Sequence, residues 1–126
     1  MTVKLKKMQR KNPLDQTKAK WYLVQEKSGT VGMKRLVEDI RDRSAMTAGD
    51  VKNVLANLVE LLPVYLKLGQ SVNIEGFGSF RITVSSIGME TAEELTVRQA
   101  KKPRISFIPC RELREGVENT ELKIIQ

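Results

Sequence analysis

The stretch Val72-Asn73-Ile74-Glu75-Gly76-Phe77-Gly78-Ser79-Phe80 decides the fold, because it follows a long amphipathic segment and leads into an apolar strand. Glycines at 76 and 78 permit positive φ or a close backbone approach, and Phe77 and Phe80 supply bulk that a sheet can bury. We therefore expect a kinked start to a strand. A dinucleotide-binding loop needs a third glycine and an immediate helix. Because this chain continues as Arg81-Ile82-Thr83-Val84, a strand, the sequence disfavours a nucleotide site.

Two helices are predicted before this stretch. The first rests on four apolar residues at helical spacing, which are Met33, Leu36, Val37 and Ile40. The second carries an apolar stripe from Val51 to Leu68, and Thr47 is placed to cap it through the N–H of Asp50. Pro63 lies inside this stripe and supplies no N–H, so we expect a kink or a break there. Gly69 is the predicted helix stop.

Strands are predicted on both sides of the helices. Downstream, residues 81–86 lead to a polar tip at 88–94 and a returning strand from Leu95, which together form a β-arm. An alternating strand at 104–108 should turn Phe107 toward the core, and a short helix over 111–117 and an edge strand over 121–125 follow. Upstream, residues 3–11 and 21–26 are rich in strand formers and flank a turn, which predicts an N-terminal β-hairpin.

The composition argues against an enzyme. The chain has no histidine and a single cysteine, Cys110, so the usual general base, the most common metal ligand and an internal disulfide are all missing. We expect no catalytic residues, no metal, no cofactor and no small-molecule substrate. No apolar run approaches the roughly 18 residues that cross a bilayer, and no signal peptide is evident, so we expect a cytoplasmic protein without a membrane partner.

The positive charge is localised rather than spread evenly. The net charge is +7. Residues 1–20 hold seven basic residues against Asp15 alone, and residues 97–109 hold four basic residues and no acid. Residues 34–60, in contrast, are balanced. Two basic blocks flanking a neutral helical body indicate a polyanionic partner, because clustered Lys and Arg neutralise phosphates.

Three segments in this order resemble the bacterial histone-like HU and integration host factor family. Leu36-Val37-x-x-Ile40 is similar to the family's first helix, and Met46-Thr47-x-x-Asp50 to its turn into the second. The segment from Phe107 to Arg114 is similar to the family's Phe-Lys-Pro-Gly-Lys-x-Leu-Lys. The resemblance covers about two-thirds of the chain, and the added N-terminal hairpin makes it most similar to the extended HU-like variant of Bacteroides-type bacteria.

The resemblance implies an α+β, HU-like fold. It would consist of a two-helix N-terminal core, a three-stranded sheet with a β-arm and a short C-terminal helix, preceded by the extra hairpin. We expect residues 1–29 to form the hairpin extension and residues 30–126 the HU-like domain. The resemblance also implies a nucleoid-associated homodimer that binds double-stranded DNA with little sequence preference and bends it.

Candidate DNA-binding residues come from the resemblance and from the two basic blocks. Arg111 and Arg114 stand where the family has phosphate-contacting lysines. The remaining candidates are basic residues on or beside predicted strands, namely Arg81, Arg98, Lys101, Lys102, Arg104, Lys4, Lys6, Lys7, Arg10 and Lys11.

The arm departs from the family pattern. The family's tip carries a proline that wedges between base pairs, whereas this tip has no proline and carries Glu90, Glu93 and Glu94. Ile87 or Met89 is the candidate apolar wedge, although packing within a short hairpin is the favoured role for both. The acidic tip leaves a second function open, a protein-interaction or assembly module on an HU-like scaffold. Salt dependence of DNA binding would separate the two functions.

Overall fold

Nine helices and strands make up the chain in the computed structural model, which describes residues 1–125 and, apart from Gln16, their side chains. In chain order they are β1 (Thr2–Asn12), β2 (Asp15–Glu26), α1 (Met33–Asp42), α2 (Ala48–Lys67), β3 (Val72–Ile74), β4 (Gly78–Thr83), β5 (Arg104–Pro109), α3 (Arg111–Glu118) and β6 (Glu121–Ile124). The predicted α+β architecture is confirmed. The last residue of the predicted HU-like domain, Gln126, lies outside the described residues.

Helix α2 begins and ends where its sequence signals indicate. The Asp50 N–H donates to Thr47 Oγ1 at 3.1 Å while the Thr47 N–H donates to the Asp50 carboxylate at 3.4 Å, a reciprocal capping box. At the other end Gly69 has φ +78°, and the Gly69 N–H donates to the Leu66 carbonyl at 3.0 Å. Pro63 does not break the helix, which stays continuous for 20 residues.

The β3, β4 and β5 strands form an antiparallel sheet in that order, and its geometry depends on Gly78. Gly78 has φ +157°, and a Cβ there would overlap the Ile108 carbonyl oxygen and lie 2.8 Å from the Phe107 ring. Phe77, Phe80 and Phe107 form a triangle with ring centroids 4.7–6.1 Å apart. Only glycine lets β5 approach β4 this closely, as the two glycines in the sequence predict.

A second three-stranded sheet contains the predicted N-terminal hairpin. Strands β1 and β2 pair antiparallel, and β6 pairs parallel with β1, so the order is β2-β1-β6. Thr2 lies opposite Glu121, and the Thr2 hydroxyl donates to the Glu121 carboxylate at 3.4 Å. The C-terminal strand therefore joins the N-terminal sheet.

The arm contains less strand than the sequence predicts. Strand β4 stops at Thr83, and the limb predicted to return as a strand from Leu95 instead forms 3-10 turns at Ala92–Glu94 and Val97–Gln99. One bridge, Ser86 to Ala100, holds the two limbs together, with the Ile87 N–H donating to the Gln99 carbonyl at 3.0 Å. A second capping box, between Thr96 and Gln99, starts the second turn and explains the lost strand.

A single protomer buries very little. Among the described residues only Val37, Val51 and Leu66 are buried apolar side chains. The accessible surface is 11263 Å², whereas a compact monomer of 14.3 kDa would expose about 6,800 Å². The apolar stripe of α2 and the aromatic triangle thus lie partly open in the isolated chain.

Candidate nucleic-acid interface

The outer face of the β3-β4-β5 sheet carries two exposed arginines. Arg81 pairs with Ser106 and Thr83 with Arg104, so Arg81 and Arg104 are diagonal neighbours on one face. Phe107 and Ile105 occupy the opposite face because side chains alternate along a strand. Arg104 therefore points away from the aromatic side of the sheet. None of the residues paired on this outer face is acidic.

The basic returning limb leads directly into this face. Lys101 is tied to the outgoing limb by its backbone, whose N–H donates to the Ser85 carbonyl at 2.8 Å. Arg98 and Lys102 are exposed on either side of it. The acidic residues Glu90, Glu93 and Glu94 fall in the tip and its first turn, outside the outer face of the sheet. The candidate wedges are both exposed at the tip, Ile87 at 58% and Met89 at 41%.

Helix α3 places Arg111 and Arg114 on its surface, each beside a carboxylate. Arg111 Nε lies 2.8 Å from the Glu115 carboxylate and Arg114 Nε lies 3.5 Å from that of Glu118. Pairs this exposed contribute little to stability, so either arginine can exchange its glutamate for a phosphate. With Glu112 included, α3 carries more acids than bases.

The first turn of α3 is stabilised locally. Cys110 is the N-cap, and its Sγ accepts from the Leu113 N–H at 3.4 Å. The N–H of Glu112 itself, and secondarily Cys110, hold the pKa of the Glu112 carboxyl below its usual range. The Cys110 N–H also donates to the Phe77 carbonyl at 3.0 Å, which fixes α3 against the glycine turn. The cysteine therefore has a structural role in this helix.

The predicted N-terminal basic residues divide between the two faces of the β2-β1-β6 sheet. Lys4, Lys6 and Arg10 lie on one face, and Lys7 and Lys11 lie on the other. The sequence-based candidate set missed Lys20 and Lys123, which lie opposite Arg10 and Lys4 respectively. The alternation of Lys18 with Lys20 was a local signal for the first of these. No local signal marks Lys123, because its partner strand is at the other end of the chain.

Comparison with known proteins decides the family. Residues 1–123 match the family described as an HU domain fused to wHTH, Ig, or Glycine-rich motif. The alpha subunit of integration host factor from Haemophilus influenzae is 30% identical over 88 residues, which cover 68% of this chain and 92% of that protein. The chain belongs to the HU and integration host factor family. The resemblance seen in the sequence is thereby confirmed.

Solved structures show the HU-like fold. A Bacteroides vulgatus protein described as a candidate bacterial DNA binding protein superimposes with a TM-score of 0.67 at 14% identity. That alignment covers 98% of this chain and 48% of the Bacteroides chain, so this chain spans about half the length of that relative. HU from Anabaena, in a cocrystal with DNA, has a TM-score of 0.56 at 18% identity and covers 71% of this chain and 99% of that one. The Anabaena alignment is limited to part of this chain, whereas the Bacteroides alignment covers nearly all of it.

Within residues 1–125, no three His, Cys, Asp or Glu side chains come together as a metal site would require. No helix in this part of the chain is both long and apolar enough to cross a membrane.

Proposed function

We propose that this HU-family chain binds duplex DNA as an architectural protein, through phosphate contacts that tolerate many sequences. The observation that carries the proposal is the outer face of β4 and β5, where Arg81 and Arg104 are exposed beside the basic returning limb and no acid interrupts them. Arginines of this kind bind phosphates and release counterions without reading base edges. A relative from Anabaena was crystallised with DNA, which supports the same chemistry here.

We also propose that the working unit is a homodimer. The protomer exposes roughly 4,500 Å² more surface than a compact chain of its mass. The exposed apolar residues include Leu58 and Val59 on α2 and Phe77 and Phe107 in the aromatic triangle. A second copy would cover them and set two arginine-bearing sheets beside each other. Light scattering should give twice the 14.3 kDa protomer mass at micromolar concentration, and a protomer mass would contradict the dimer.

The arrangement also supports bending. HU-family arms bend DNA by opening base steps in the minor groove, and the candidate wedges of this arm, Ile87 and Met89, are both exposed. Because Met89 lies beside Glu90 and the tip also carries Glu93 and Glu94, we expect bending by phosphate attraction to the sheet and little intercalation. A fluorescence-transfer measurement on end-labelled duplex should show a bend that survives Ile87→Ala combined with Met89→Ala.

The phosphate surface is tested by removing its two arginines. Arg81→Gln with Arg104→Gln should weaken duplex binding equally for unrelated sequences and reduce the slope of log K against log salt by about 0.9 per lost phosphate contact. Arg35→Gln with Arg41→Gln is the matched control, because it removes the same charge from α1, where both arginines already face Asp39 and Asp42. If both variants lose the same affinity, binding depends on net charge alone and the assigned face is wrong.

The contribution of α3 is measured in the same assay. Arg111→Ala with Arg114→Ala should flatten the salt slope by up to about two, with less loss of affinity than the β-sheet variant. The loss is smaller because each arginine must first leave Glu115 or Glu118. Unchanged affinity and slope would remove α3 from the interface.

A second function is favoured by the acidic features of the chain. The arm tip carries three glutamates, and α3 has an excess of acids, so an HU-like scaffold for protein assembly is the alternative. In that case duplex binding would be weak and nearly independent of salt, whereas phosphate contacts predict a steep fall of affinity as salt rises.

A further inference from the structure

The β2-β1-β6 sheet has two faces of opposite chemistry. The register places Arg10 opposite Lys20, Lys6 opposite Val24 and Lys4 opposite Lys123, so these side chains share a face. We call this the basic face; it consists of Lys4, Lys6, Arg10, Lys18, Lys20 and Lys123, with two acids at its ends, Glu26 and Glu121. The reverse face is mainly apolar and includes Val3, Leu5, Trp21, Leu23, Leu122 and Ile124.

The basic face contains two directly opposed like-charge pairs. Arg10 faces Lys20 across the antiparallel pair, and Lys4 faces Lys123 across the parallel pair. Glu26 lies opposite Lys4 on β2 and places an acid beside the second pair, whereas no acid is paired with Arg10 or Lys20. Opposed like charges destabilise a sheet. The ion pairs formed within residues 1–125 lie on or beside α1 and on α3, and none of them involves this face. Stability of the sheet alone would not select Arg10 opposite Lys20, whereas an anionic ligand would offset their repulsion.

The length of the face matches an extended polyanion. Lys4 to Arg10 spans six residues along β1, which is about 20 Å at the rise of an antiparallel strand. A single phosphate contacts one or two of these cations, whereas a DNA duplex presents one negative charge for each ~1.7 Å of its axis. At the turn of the hairpin the face ends in an open cleft of about 600 Å³ lined by Arg10, Lys11, Asn12, Pro13, Lys18, Lys20 and Tyr22.

The chemistry of the face favours a duplex over other polyanions. The Arg10 guanidinium lies 5.9 Å from the centre of the Tyr22 ring, so the aromatic group on this face is already engaged and offers no free platform for stacking bases. A lipid surface would need many apolar groups beside the cations, but this face offers only Met8, Tyr22 and Val24, whereas most apolar side chains of the sheet lie on the reverse face. The remaining polyanion is duplex DNA, which this face would bind through contacts to backbone phosphates.

We propose that the basic face is a second duplex-binding surface, so that one protein holds two DNA duplexes together. This inference rests on the proposed function, since the first duplex occupies the outer face of β3-β4-β5. The two faces belong to separate sheets that share no strand. The protein would then connect DNA segments as well as bend one of them.

The test is a capture experiment with two duplexes of unrelated sequence, one fixed to beads and one fluorescent in solution. The wild-type protein should retain the fluorescent duplex on the beads. Lys6→Gln with Lys20→Gln should reduce capture roughly tenfold or more, because each phosphate contact contributes nearly a factor of ten at 0.1 M salt. Binding to the single fixed duplex should stay within about twofold of wild type, since the other sheet is intact.

The matched control removes the same two charges from outside both proposed surfaces. Lys27 lies just beyond β2, and Lys34 is exposed on α1. Lys27→Gln with Lys34→Gln should leave both capture and single-duplex binding unchanged. Thermal unfolding of both variants checks that the sheet is folded.

The outcomes separate this inference from the proposed function. Equal capture by the basic-face variant and wild type would overturn the second surface while leaving the first in place. An equal loss of capture in the control variant would show that bridging depends on net charge, which would also overturn the second surface. A basic-face variant that loses single-duplex binding would make the hairpin the primary site, against both proposals. A wild-type protein that binds no duplex at all would refute the proposed function itself.

Discussion

The two three-stranded sheets of this chain are built from opposite kinds of side chain. The β3-β4-β5 sheet brings Phe77, Phe80 and Phe107 together and needs Gly78 to do so. The β2-β1-β6 sheet sets Arg10 against Lys20 and Lys4 against Lys123. The first sheet uses its strand pairs for packing, and the second places charge where packing would favour neutral residues. Directly opposed pairs therefore distinguish the packed aromatic face of the first sheet from the charged face of the second.

The largest effect should come from closing the space at Gly78. Gly78→Ala should destabilise the fold by at least about 3 kcal/mol, because the new methyl group would overlap the Ile108 backbone and the Phe107 ring. Gly116→Ala is the control, since nothing lies within 4 Å of that position on α3 and a helical alanine should stabilise by about 0.5–1 kcal/mol. Chemical denaturation measures both. A tolerated Gly78→Ala would show that the close approach of β4 and β5 is not required.

Truncating one ring of the aromatic triangle should give the next largest loss of stability, and its size should show whether a second copy covers the ring. Phe107 is 38% exposed in one protomer. Phe107→Ala should cost about 3–5 kcal/mol if a second copy covers the ring, and roughly half as much if the protomer stands alone. Denaturation curves at several protein concentrations distinguish the two cases, because only a dimer shows concentration dependence. A loss below about 1 kcal/mol would place the ring on the surface.

Reversing one charge in the hairpin should raise the stability of the fold, whereas the two substitutions above lower it. Lys20→Glu replaces the repulsion with Arg10 by attraction, so it should stabilise the β2-β1-β6 sheet by roughly 0.2–1 kcal/mol. It should at the same time reduce two-duplex capture. Lys27→Glu makes the same change of charge beyond the strand and should do neither. If Lys20→Glu lowered stability, the opposed pair would not be a repulsive one.

The smallest effect is a pH dependence in α3, the helix that connects the two sheets. The N–H of Glu112 itself, together with Cys110, lowers the pKa of the Glu112 carboxyl in the folded chain. A carboxyl with a lowered pKa stabilises the fold above its usual pKa of about 4.3 and loses that contribution as the pH falls through the lowered value. An NMR titration should find the Glu112 pKa below that of a free glutamate. A normal value would mean that the cap is absent in solution.

Local signals in the sequence predicted most of the helices and strands, including those of the second sheet, but not how that sheet is assembled. Thr47, Asp50 and Gly69 correctly marked the ends of α2, because caps and stops act within a few residues. The arm was predicted with a returning strand, whereas the Thr96–Gln99 capping box turned that limb into a 3-10 helix. The pairing of Lys123 with Lys4 could not be predicted, because pairing between strands far apart in the chain leaves no local pattern.

The pairing of β6 with β1 has a consequence for the order of folding. Thr2 and Glu121 are 119 residues apart, and closing so long a loop is slow compared with forming a two-strand hairpin. During synthesis β1 and β2 leave the ribosome well before β6, so the hairpin forms early and waits with one edge of β1 unpaired. Strand β6 completes an element that forms before it is made, and a chain without β6 should keep its helices yet expose that edge to other chains.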